Sequence, residues 1–224
     1  MTLAIISLTL AVVSATIIAY DLRKNPLSMR IMNIVWILTA LWASVFGLIA
    51  YCWFGREKKM ESMKSMNMAG GMSMKMDMPM KAKWQSVTLS TLHCGAGCTL
   101  ADIVGSLVLI IIPMTLVEGW VFTYVLALVI GVYFQFVAIK EMNNLPTSII
   151  IKKALKADFL SLTAWQLGMY GWMYLLIFQF KCLAPHQSLN WDFWFAMQQA
   201  MLAGFILALP MNYVLIKIGI KGGM

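Results

Sequence analysis

The sequence predicts an all-α fold: a polytopic membrane helix bundle with about six transmembrane helices. Two observations carry that reading. Of 224 residues, 61% are hydrophobic and 12% charged, with a mean hydropathy of +0.80, whereas a soluble domain carries about 25% charged residues. The apolar residues also fall into six stretches, most of them close to the roughly 20 residues that one bilayer crossing needs. No polar stretch is long enough for a soluble catalytic or nucleic-acid-binding module. The net charge of +8 therefore fits basic loops against anionic lipid headgroups, not nucleic acid.

The first stretch, Leu3 to Tyr20, stops at Asp21, Arg23, Lys24 and Pro26. It lacks a basic n-region and a small-residue cleavage site, so a retained helix is expected and not a signal peptide. The second runs from Ile31 to Phe54. The third, about Leu100 to Val117, and the fourth, Trp120 to Ile139, should form a tight antiparallel hairpin around Glu118 and Gly119. The fifth runs from Phe159 to Phe180, with Asp158 and Ser161 read as caps, Gln166 deeper, and Gly168 and Gly171 permitting close helix contact. The sixth runs from Trp191 to Ile216. Pro210 should kink it or free a carbonyl for Asn212 to bond. Gln166, Gln198, Gln199 and Asn212 are intramembrane polar groups, either functional or paired between helices.

Three regions follow: two N-terminal transmembrane helices (1–54), a Met-rich flexible loop (55–83) and a four-helix membrane domain (84–224). Six spans put both termini on one side. With the Met-rich loop in the cytoplasm, 13 basic residues lie inside and 4 outside, as the positive-inside rule prefers. Arg23, Lys24 and Arg30, directly after the first helix, argue the reverse. Either way, the Met-rich loop and the start of the third helix share one face, and the Glu118 turn and the 181–190 loop share the other. The expected location is a bacterial inner membrane.

Methionine is concentrated. Nine of the 20 lie between Met60 and Met80, among them Met63, Met66, Met68, Met72, Met74, Met76, Met78 and Met80. Thioethers are soft, neutral ligands that select Cu(I) over harder ions. An apolar filler has no reason to alternate with Lys, Asp, Ser and Asn, so these eight are candidate metal ligands.

The run His93-Cys94-Gly95-Ala96-Gly97-Cys98-Thr99-Leu100-Ala101-Asp102 follows closely. On a continuous helix Cys94, Cys98 and Asp102 form a stripe, rotating about 40° per step. The two glycines argue instead for a turn at 93–98, with Thr99 capping the third helix and Asp102 completing a loose capping box. In either geometry His93, Cys94 and Cys98 are expected to converge. They suit Cu(I), and zinc as a Cys₂His set with Asp102 or an open fourth place. Haem is not expected, because His93 and His186 fall on opposite faces. An iron–sulfur cluster lacks two local cysteines. Cys52 and Cys182 fall on opposite faces and cannot pair.

The run from Leu92 to Ile103 resembles the signature of a bacterial family of uncharacterised multi-spanning membrane proteins marked by an HCGxGC segment. Lys156-Ala157-Asp158 with Leu160-Ser161-Leu162-Thr163 and Gly168 is similar as well, as is Pro210-Met211-Asn212 followed by Ile218, Gly219 and Lys221. The resemblance covers Trp84 to the C-terminus, with Ala101 where many members carry Gly. It implies that His93, Cys94, Cys98, Asp102, Asp158 and Asn212 belong to one site, and it brings no activity. The Met run is similar in composition to Met-rich segments of copper uptake transporters.

The expected function is binding and transport of soft metal ions, foremost Cu(I), with Gln166, Met169 and Met173 as onward ligands. A membrane thiol oxidoreductase using Cys94 and Cys98, and a metal sensor or copper-delivery factor, are the alternatives. The expected partners are the lipid bilayer, the metal ion and a copper-receiving protein, with self-association open.

Overall fold

The computed structural model describes residues 1–56, 80–142, 147–183 and 190–221. Among them every regular element is helical. The helices are α1 (Thr2–Lys24), α2 (Arg30–Ala50, extended by a π-helical turn, Tyr51–Gly55), α3 (Met80–Ile111), α4 (Leu116–Met142), α5 (Thr147–Tyr174, with a π-helical turn, Leu175–Gln179) and α6 (Trp191–Lys217). All but α5 are long and apolar enough to cross a membrane. The outward surface is apolar: Phe46 is 80% exposed, and Leu167, Val129 and Ile206 are each over 60%. Water would not tolerate so much exposed apolar surface, and lipid does. The chain is a multi-pass membrane protein.

α3 to α6 zigzag as antiparallel neighbours. Gly97 of α3 approaches Gly131 of α4. Tyr124 of α4 bonds Thr163 of α5 at 2.9 Å, and Ser161 of α5 donates to Asn212 of α6 at 2.9 Å. α1 instead runs parallel to α6, since the Met1 ammonium meets Asp192 at 3.5 Å and Ser7 donates to Gln198 at 2.8 Å.

α2 does not cross the bundle as one rod. Ser44 sits at φ 50°, ψ −127°, and there the helix doubles back. A straight helix would hold residues 36 and 51 about 22 Å apart, yet the rings of Trp36 and Tyr51 are 5.5 Å apart. Gly55 lies against the Trp36 ring, and a Cβ on Gly47 would come within 3.1 Å of the Ala40 Cα. At the fold, the amide of Gln198 donates to the freed carbonyl of Leu41 at 2.8 Å. At the open end, Asp21 accepts from Tyr51 at 2.8 Å and pairs with Arg56 at 3.0 Å. α2 therefore enters and leaves at one end of the bundle.

This overturns the expectation that both termini share one side. The N-terminus stands at the Asp192 end and Lys217 at the Asp21 end. Arg23, Lys24, Arg30, Arg56, Lys140, Lys156, Lys217 and Lys221 all stand at the Asp21 end, and Lys181 stands at the other. The contradiction over Arg23, Lys24 and Arg30 disappears.

Boundaries shift for identifiable reasons. α3 begins twenty residues before Leu100, so the His93–Cys98 segment is helical and not a turn. The α3–α4 connection moves to Ile112–Thr115, because helix α3 ends just before Pro113. Thr115 is the N-cap of α4: its N–H donates to Glu118 at 2.8 Å and its hydroxyl accepts from the Glu118 N–H at 3.4 Å, a reciprocal capping box. α5 begins at Thr147, since its basic first turns are polar yet still helical.

Candidate functional site

Because α3 is continuous, Cys94, Cys98 and Asp102 form the stripe that helical spacing allows. All three are buried. The two glycines that suggested a turn serve packing instead. A Cβ on Gly95 would overlap the Trp165 ring, and one on Gly97 would stand 3.0 Å from the Gly131 Cα. α3 thus lies backbone to backbone with α4. Thr99 is no cap: its hydroxyl donates to the Gly95 carbonyl at 2.8 Å, and it lies 3.9 Å from the Met201 sulfur. Asp102 likewise caps nothing.

His93 falls on another side of α3, about 140° around the axis from Cys98. Its ring stands 6.1 Å from Phe134, and both nitrogens are buried without a partner. Among the described residues no three His, Cys, Asp or Glu side chains gather as a metal site. The tetrahedral set that zinc requires is not assembled there. Met63, Met66, Met68, Met72, Met74, Met76 and Met78 lie outside the described residues, as does His186. Met80 opens α3, but its side chain is not among the described ones. Cys52 and Cys182 are exposed and free, at opposite ends of the bundle.

At the Asp21 end of the interior lies a polar cluster. Gly219, at φ +77°, turns the chain after α6, and the Ile220 N–H closes the turn on the Leu215 carbonyl at 3.0 Å. Lys221 is thereby directed inward. Its ammonium donates to Asn212 Oδ1 at 2.9 Å, to Asp158 Oδ1 at 3.4 Å and to the Ser90 carbonyl at 3.4 Å. Asp158 and Asn212 are therefore brought together, as the family resemblance implies, and neither performs the task read from sequence. Asp158 and Ser161 sit inside α5, where no N-terminal amide is free to cap. Asn212 donates to the Ala208 carbonyl at 2.9 Å, whereas Pro210 frees that of Ile206. Asp102 lies about 18 Å along α3 from Ser90, and His93 faces α4, so the six residues do not meet at a point.

Deeper in, Asp102 borders two cavities. One, about 80 Å³, is walled by Met169, Met173, Met197, Tyr170 and Ser106. Tyr170 is held there by stacking on Trp120 at 5.1 Å and by donating to the Trp120 carbonyl at 2.8 Å. The other, about 270 Å³, lies among α1, the fold of α2, α3 and α6. Met169 and Met173, expected as onward ligands, do share a cavity with Asp102. Gln166 is buried with both amide atoms unpartnered.

Gln198 and Gln199 pair between helices, the latter accepting from Trp172 at 3.3 Å. Gly168 packs against Ala203 and Gly204, while nothing stands within 4 Å of a Cβ on Gly171. Sequence reasoning assigns no role to Lys221, Met197 or Met201. For Lys221, the glycine two residues earlier, just beyond the helix, is the signal that a turn could bring a tail residue inward.

The family model described as Domain of unknown function (DUF4396) matches residues 83–221. No curated protein matches the chain, and no solved structure does.

Proposed function

The chain belongs to the DUF4396 family, whose description carries no activity, and from the site alone we propose that it conducts a soft metal ion, Cu(I), across the membrane. The observation that supports this is a run of sulfur donors along one interior. Cys94 and Cys98 lie on the inner stripe of α3, Asp102 follows one turn on, and Met169, Met173 and Met197 wall the cavity that Asp102 borders. Thiolate and thioether sulfur select Cu(I). The unpartnered atoms of Ser90, Asp158, Gln166 and Asp102 are also buried, and buried groups without partners call for a water or an ion.

The basic end takes the cytoplasmic side of a bacterial inner membrane, because positive residues favour it. The Met-rich segment joins Arg56 to Met80 at that end and would gather the ion. Cys94 and Cys98 would select it, and the methionine-walled cavity would pass it on. The ion is cargo, so loose serial sites serve it better than a closed chelate. Titration of the purified full-length protein with Cu(I) against a competing chelator tests the assignment. Cys94→Ser with Cys98→Ser should abolish tight binding at the helix; unchanged stoichiometry and affinity would remove it.

A further inference from the structure

The larger cavity has a chemistry of its own. It is about 270 Å³ in volume, and its walls are largely apolar and aromatic, including Trp42, Trp191 and Trp194. Among its other polar lining residues, Thr99 is committed to the Gly95 carbonyl, and Gln198 is committed to Ser7 and Leu41. Asp102 is 3% exposed, its Oδ2 has no partner, and it joins none of the ion pairs among the described residues. The charged form of a carboxyl in such a place is stabilised by a cation held against it.

A hard inorganic cation needs a shell of oxygens to replace its water, and the lining does not supply one. An organic cation sheds weakly held water and is attracted to aromatic faces. Its apolar arms suit the remaining walls, where Met197 and Met201 can adjust to their shape. We propose that the cavity between α1, the fold of α2, α3 and α6 binds a lipophilic organic cation, with Asp102 as its counter-ion. This goes beyond the metal reading and does not depend on it.

Benzyltrimethylammonium is the probe, titrated against the full-length protein in lipid nanodiscs and followed by tryptophan fluorescence and calorimetry. Saturable binding at one site is expected. Asp102→Asn should weaken it about 30-fold or more. Leu8→Trp, which fills the cavity from α1 and leaves the carboxylate alone, should also abolish it. Cys94→Ser with Cys98→Ser should leave it unchanged, so failure of the metal reading and failure of this one are distinguishable. Neopentylbenzene, the neutral isostere, should bind far more weakly. Equal affinity for the neutral isostere, equal affinity in Asp102→Asn, or normal binding by folded Leu8→Trp would each overturn the proposal.

Discussion

The Lys221 ammonium lies 3.4 Å from the Asp158 carboxylate, and both side chains are fully buried. A residue just beyond the last helix thus joins α3, α5 and α6 from inside. Breaking a buried pair by removing one partner leaves a bare charge and costs about 3–5 kcal/mol, while replacing both partners is often neutral. Lys221→Met and Asp158→Leu should each lower thermal stability in detergent by an amount of that order. The double variant should recover most of the loss. Additive losses in the double-mutant cycle would show that the two charges do not interact.

The folded α2 changes which residues face which side. A reagent that cannot cross the membrane should label Lys24→Cys and the native Cys52 from the same side, and the native Cys182 from the other. A straight α2 would place Lys24→Cys with Cys182. Labelling of right-side-out and inverted vesicles separates the two.

Glycine at 95 and 97 is a packing requirement. Gly95→Ala would drive a methyl into the buried Trp165 ring, and Gly97→Ala would press on the Gly131 backbone. Overpacking of this kind costs about 1–3 kcal/mol. Thermal unfolding of each variant should show the loss, with Gly97→Ala partly rescued by no neighbouring side-chain change, since its obstacle is backbone.

The long helices were legible because bilayer crossing demands apolar length, and length is readable in sequence. Helix at 93–98 is not legible in the sequence, because two glycines signal a break when the contacts that need them are unknown. The unbroken apolar run from Ile31 to Phe54 conceals the fold at Ser44, since lipid-facing and protein-facing residues are equally apolar. Lys221 was hidden for the opposite reason: a charge beyond a helix end ordinarily stays in water. The sulfur residues were legible as soft donors, but the cavity that Met169, Met173 and Met197 share needed α5 and α6 to be placed side by side.

The Met-rich segment should matter most when metal is scarce. Removing residues 60–79 should weaken uptake into cells or vesicles at low copper and have little effect at high copper. Equal loss at every concentration would give the segment a role other than collecting the ion.

Cu(I) flux into proteoliposomes containing the purified full-length protein tests the central claim most directly. Saturable flux that falls to the protein-free background in the Cys94→Ser, Cys98→Ser variant is the predicted result. Flux that persists undiminished in that variant, or its absence from the wild-type protein, would contradict conduction along the α3 stripe.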